Sequence, residues 1–140
     1  KRGVLVIFFL LLTFGMTDSL SSSVIKKSVK RIRPCNDIEL KEEINVLVRC
    51  GSGYSFTSSH AANHFAIALT LIMIFYHRWR HILWLGLLWA ASISIAQVYV
   101  GVHYPLDIIG GALLGTAVGV LSGLIFRTIC PNLVSANQTA

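Results

Sequence analysis

Four apolar stretches, divided by short polar seams and one long polar loop, set the plan of this chain. They run over residues 4–25, 61–76, 82–102 and 106–126. The first is polar in its second half, where Thr17, Asp18, Ser19, Ser21, Ser22 and Ser23 interrupt it. A bilayer core asks for roughly 20 mostly apolar residues in a helix. Backbone polar groups in lipid must be satisfied within the spanning structure, so each stretch reads as a helix. The pattern predicts an all-α, polytopic transmembrane bundle with four membrane helices and an extramembrane loop at about residues 26–57.

Alternating the helices across a membrane sorts the seams onto two faces. Lys1, Arg2, the turn HRWRH (His77 to His81) and Arg127 fall on one face; the long loop and His103 fall on the other. The first face then holds Lys1, Arg2, Arg78, Arg80 and Arg127. The second holds Lys26, Lys27, Lys30, Arg31, Arg33, Lys41 and Arg49. Short loops rich in Lys and Arg normally stay in the cytoplasm, which would put the basic loop inside. The cysteines argue the other way. A bridge between Cys35 and Cys50 would contribute about 3 kcal/mol for a loop of this length, and disulfides persist in oxidising compartments. With the bridge the basic loop faces outward; with two free thiols the cation rule stands.

Composition agrees with a membrane protein. Of 140 residues, 54% are hydrophobic and 13% charged, where soluble domains carry about 25% charged residues. Mean hydropathy is +0.68. The length suits one membrane-embedded domain over residues 1–140. The first residue is Lys1 rather than Met, which raises the expectation of a missing natural N-terminal part, and the first apolar run has no small-residue cleavage site of a signal peptide. Membrane lipids are the expected partners, with no nucleic acid. Nothing in the pattern indicates an oligomeric state.

Chemistry-bearing residues gather on the second face. IKKSVKRIRP, residues 25–34, is either a solvated helix end that anchors on headgroups or an anion site, since Arg grips phosphate with a fork and Lys with a compact charge. SFTSSHAANHF, residues 55–65, places small hydroxyl residues at the start of the second helix, where free N–H groups and Ser donors hold an anion. The alternative is an ordinary Ser cap with interfacial histidines. His60 titrates in the range of a general acid. In YVGVHYPLD, residues 99–107, four residues separate His103 from Asp107, the spacing of a carboxylate that grips one imidazole nitrogen while the other faces a substrate. Pro105 fits a chain reversal or a first helical turn, and Asp107 by itself could cap the fourth helix. A single phosphate pocket accounts for Lys26, Arg33, Ser58, His60, His103 and Asp107 together. No Asp/Glu/His grouping demands a metal, and no cofactor is expected.

These residues resemble the type-2 phosphatidic acid phosphatases, the lipid phosphate phosphatases. That family carries Lys, six residues, Arg-Pro; then Pro-Ser-Gly-His; then Ser-Arg, five residues, His, three residues, Asp. Lys26 to Pro34 fits the first motif in full, Thr57-Ser58-Ser59-His60 keeps Ser and His of the second, and His103 and Asp107 keep the third within VGVHYPLD. The resemblance spans about residues 18–123. It implies six membrane helices in the family, two of them preceding this chain. It implies metal-independent dephosphorylation of a membrane lipid phosphate or diphosphate; a Cys35–Cys50 bridge would put that site on the extracytoplasmic, periplasmic, face of an inner membrane. His103 would be the nucleophile, Asp107 its orienting partner and His60 the proton donor and later the water activator. Lys26, Arg33, Ser58, the backbone at Ser59 and the amide of Gln97 would hold the phosphate. The family's Ser-Arg is Ala96-Gln97 here. An uncharged amide stands where a cation would fork onto phosphate, so Arg31 or Lys30 would have to supply the charge, the phosphate would sit differently, or the site would bind without turnover. The alternative function is therefore a catalytically silent phospholipid-binding or transport-associated membrane protein.

Two further features read as structural. Gly111, Gly115, Gly119 and Gly123 recur every four residues and bare one stripe of the fourth helix for close contact. Asp18 is costly inside a membrane; it either fixes its helix end beneath the phosphate site or bonds to another helix.

Overall fold

A computed structural model describes residues 2–40 and 42–131. Lys1 and Lys41, counted above among the cations, and most of the polar tail after Cys130 lie outside the described residues. The described residues are all-helical: α1 (Arg2–Ser19) runs through a π-helical turn (Leu20–Ile25) into α2 (Lys26–Val29), and α3 (Ser59–Phe75), α4 (Ile82–Tyr99) and α5 (Pro105–Ile129) follow. Three helices are long and apolar enough to cross a membrane: Gly3–Val29, Ile82–Tyr99 and Pro105–Ile129. Ser59–Phe75, at 17 residues, lies at the short end of the spanning range.

Helix ends differ from the sequence expectation for local reasons. The first helix continues past residue 25 and stops where Lys30 turns left-handed, its N–H reaching the carbonyl of Lys26. The third stops at Tyr99 because Gly101 adopts φ +79°, a conformation glycine takes without steric cost. Pro105 opens α5 at the first helical turn, where its missing N–H costs nothing, and the chain continues as helix to Ile129, three residues beyond the expected end.

Helix α3 is the axis of the bundle and packs on α1, α4 and α5, most extensively on α5. The glycine stripe explains that closeness. A Cβ at Gly111 would meet the Ser58 carbonyl and Ala61, at Gly115 the Ala62 carbonyl, at Gly119 the Ala66 carbonyl and at Gly123 the Met73 side chain. The two backbones touch, and the stripe is a packing surface. Thr70 Oγ1 crosses the seam to the Gly119 carbonyl at 3.2 Å. At the far end Phe9, Ile74 and Phe126 form the apolar cluster that joins α1, α3 and α5. Elsewhere hydroxyls bind α1 to its neighbours: Thr13 pairs with Ser122, and Ser21, turned inward at the π-helical turn, pairs with Thr57 at 3.1 Å and Ser59 at 2.9 Å. Asp18 accepts from Asn63 Nδ2 at 3.1 Å, which makes it a bond between helices. Long apolar side chains such as Val4, Leu11, Trp84 and Leu113 are exposed and face lipid.

Because the α3–α5 seam has no room for a methyl group, Gly115→Ala should cost about 1–3 kcal/mol by overpacking. Gly86→Ala, whose Cβ would stand 3.4 Å from Ile72, should be neutral or mildly stabilising. Thermal unfolding of the two variants in detergent checks the contrast.

Candidate active site

The loop after α2, the start of α3 and the seam between α4 and α5 meet at one end of the bundle. What joins them is the carboxylate of Asp107, fully buried at the first turn of α5. Its Oδ2 accepts from the Tyr104 N–H at 2.9 Å, from Ser55 Oγ, and from His103 Nδ1 at 3.4 Å. Its Oδ1 accepts from Arg31 Nη1 at 3.1 Å. One side chain thus caps a helix, orients an imidazole and holds two loop residues. Asp107 fills both roles the sequence left open, cap and histidine partner.

The ring of His103 is held on both sides. Its backbone N–H donates to the Gln97 carbonyl at 3.2 Å, as does that of Val102. With Nδ1 facing a carboxylate, the proton resides there, and the Nε2 lone pair faces Arg33 Nη1 at 3.4 Å. Burial holds the imidazole below its ordinary pKa; Arg33 and Lys26 push the same way, and the Asp107 hydrogen bond opposes them. His103 is therefore neutral at pH 7.

Arg33 connects this ring to the rest of the site. Its Nε donates to the Gly53 carbonyl at 2.9 Å and its Nη1 to that of Val102 at 3.3 Å. Arg33, Arg49, Gly51, His60 and Gln97 line one cavity of about 420 Å³. Lys26 is half-buried, with Asp18, Arg33 and Asp107 the charges that act on it. Ser58 is fully buried and caps α3: its Oγ accepts from the Ala61 N–H at 3.4 Å, while its own N–H donates to the Asp107 carbonyl at 3.0 Å. Ser59 Oγ is turned to Ser21, but the N–H groups of Ser59 and His60 open the first turn of α3, where no intrahelical acceptor exists.

The sequence reading left the places of Arg31 and Arg49 open and did not single out Ser55 or Tyr104. Arg31 lies over the Tyr104 ring at 4.0 Å and donates from Nη1 to Asp107. Arg49 lines the cavity beside Gln97. Ser55 holds Asp107, and Tyr104 Oη donates to Asp37 at 3.2 Å. Ser55 lies in the quoted hydroxyl run, a signal that was present; Arg49 is flagged only by its place next to Cys50, which is bonded to Cys35 with Cα atoms 5.9 Å apart. Among the described residues no group of three His, Cys, Asp or Glu side chains converges as a metal site.

A family model described as the PAP2 superfamily matches residues 3–130. The lipid A 4'-phosphatase of Bacteroides thetaiotaomicron is 34% identical over 141 residues, covering 99% of this chain and 60% of that protein. The undecaprenyl-diphosphatase of Sulfolobus acidocaldarius is 43% identical over 75 residues, covering 54% of this chain and 35% of that protein. A crystal structure of the first transmembrane PAP2 type phosphatidylglycerolphosphate phosphatase from Bacillus subtilis superposes with a TM-score of 0.72 at 26% identity, over 87% of this chain and 59% of that one. The chain therefore spans 60% or less of the length of each.

Replacing Asp107 with Ala strands the N–H of Tyr104, the hydroxyl of Ser55 and the guanidinium of Arg31 together. The expected loss is about 3 kcal/mol, measured by denaturation in detergent, with Asp107→Asn losing less because the amide oxygen still caps α5.

Proposed function

This chain belongs to the PAP2 superfamily, and from that membership and its apolar helices we propose that it releases phosphate from a membrane lipid phosphate or diphosphate through a phosphohistidine on His103. The observation that carries the reading is the poise of His103. Its Nδ1 is held by a buried carboxylate, and its Nε2 lone pair faces the Arg33 guanidinium at 3.4 Å.

In the first step Nε2 of His103 attacks phosphorus, the bond from phosphorus to the lipid oxygen breaks, and His60 gives that oxygen a proton. Charge on the imidazole rises as the new bond forms, and Asp107 supports it. In the second step His60 takes a proton from water, the water oxygen attacks phosphorus, and the phosphorus–nitrogen bond breaks to return neutral His103 and free phosphate. Dividing the displacement in two is nucleophilic catalysis. The rest is positioning and charge stabilisation, on which phosphoryl transfer mainly relies. Arg33, Lys26, the Ser58 hydroxyl, the opening N–H groups of α3 and the Gln97 amide hold the phosphoryl oxygens. Arg49 restores the positive charge that Gln97 lacks, which favours turnover over silent binding. The Cys35–Cys50 bond favours placing this site on the extracytoplasmic, periplasmic, face, since such bonds persist where the compartment is oxidising. The whole of residues 1–140 then forms one membrane-embedded phosphatase unit, and it needs no cofactor.

Phosphate release from a panel of lipid phosphates should vanish in His103→Ala, and Arg49→Ala should raise KM about tenfold through loss of a charged contact. Equal release by His103→Ala and the parent would overturn the enzyme reading. Activity also requires neutral His103, whose pKa is lowered. The acid limb of kcat/KM should therefore have its midpoint below pH 6.5, the ordinary imidazole value, and because the first step also needs His60 protonated, activity should fall again as pH rises and His60 loses its proton, giving a bell-shaped profile.

A further inference from the structure

His60 has two sides. One faces the arginine-lined cavity; the other lines a second cavity of about 330 Å³, shared with Phe14, Asp18, Ser59, Asn63 and His64. This second space lies between α1 and α3, and Phe14 at its edge is exposed, so it opens toward lipid. If His60 protonates the departing oxygen, the carbons attached to that oxygen lie beside His60, away from the arginines. The second cavity is where they fit.

The groups that line it are acceptors. Asp18 carries a carboxylate with about four lone-pair sites, and a single side-chain donor, Asn63 Nδ2, occupies one of them. Among the described residues Asp18 has no ion pair. Asn63 is buried, and with its amide nitrogen turned to Asp18 its Oδ1 has no partner. His64 Nδ1 donates to the His60 carbonyl at 2.8 Å, which leaves Nε2 outside that bond. A carboxylate within a membrane helix is expensive unless it is partnered, and buried polar groups without partners call for an explanation. A donor brought by the substrate supplies it.

We propose that Asp18 is a specificity-determining residue: it accepts a hydrogen bond from a hydroxyl or ammonium carried one carbon away from the phosphoester, so the enzyme prefers lipid phosphates with such a donor over those with a bare hydrocarbon there. This rests on the phosphatase reading above. The site selects by leaving an acceptor unpaired when the donor is missing, which discriminates more strongly than an apolar pocket does.

Three single-chain lipid phosphate monoesters of equal length test it, bearing a hydroxyl, an ammonium or only hydrogen on the carbon next to the phosphoester carbon. For the parent, kcat/KM should be about tenfold or more higher with either donor than without. Asp18→Asn keeps the shape and the Asn63 bond; it should bring the three substrates near parity, with the ammonium compound losing most and the donor-free compound losing least. A parent that treats all three alike, or an Asp18→Asn variant that slows all three equally, would overturn the proposal. Binding of the three phosphate-free alcohols to the parent and to Asp18→Asn in detergent is the second readout. Preference for the donor-bearing alcohols without phosphate release from any monoester would overturn the phosphatase reading and uphold this one; phosphate release with no preference in either assay would do the reverse.

Discussion

The carboxylate of Asp107 is the constraint on which the site depends. It is a charge taken out of water at a helix end, where an unpaired ion would cost several kcal/mol. Each of its hydrogen bonds ties down something different: the start of α5, the ring of His103, Ser55 before α3 and Arg31 after α2. Burial of this group requires all of them at once. Loop, seam and helix therefore assemble together around one anion, and the imidazole that must be aimed is aimed by the same act.

Beneath that anion the α3–α5 contact sets the distance between the two halves of the site. His60 is the second residue of α3 and His103 lies two residues before α5. The hydrogen bond from the Ser58 N–H to the Asp107 carbonyl joins the two helix starts at 3.0 Å. The glycine stripe then carries the contact to the opposite end of the bundle, with backbone against backbone. In lipid no hydrophobic force drives helices together, so close van der Waals contact and interhelical hydrogen bonds must do so. The stripe and the hydroxyl pairs along α1 are both of that kind.

Much of this was legible in the residues. Apolar run lengths showed four helices, because a bilayer imposes a length that sequence alone must meet. The four-residue spacing of His103 and Asp107 and of the glycines was readable because helical and near-helical geometry turns spacing into a shared face. What escaped was convergence from the long loop. Arg31 and Arg49 sit in stretches without periodicity, and nothing in IKKSVKRIRP says which cation turns to the carboxylate and which to the cavity. Ser58 and Ser59 show the same limit. Nothing in TSSH says that Ser58 Oγ accepts from the Ala61 N–H while its own O–H stays free to donate, or that Ser59 Oγ turns to Ser21 while its backbone N–H opens α3. The sharp helix ends at Lys30 and Tyr99 likewise depend on single backbone angles that composition does not announce.

The bond between Cys35 and Cys50 also acts on the cationic pocket. Arg33 lies two residues before one sulfur and Arg49 one residue before the other, and both arginines line the same cavity. Without an anion between them, two guanidinium groups repel, and a loop held only by weak contacts relieves that repulsion by swinging one of them into water. A covalent clasp beside both removes that escape. The cationic field is then in place before any phosphate arrives, and less of the ligand's attraction is lost to gathering scattered charges.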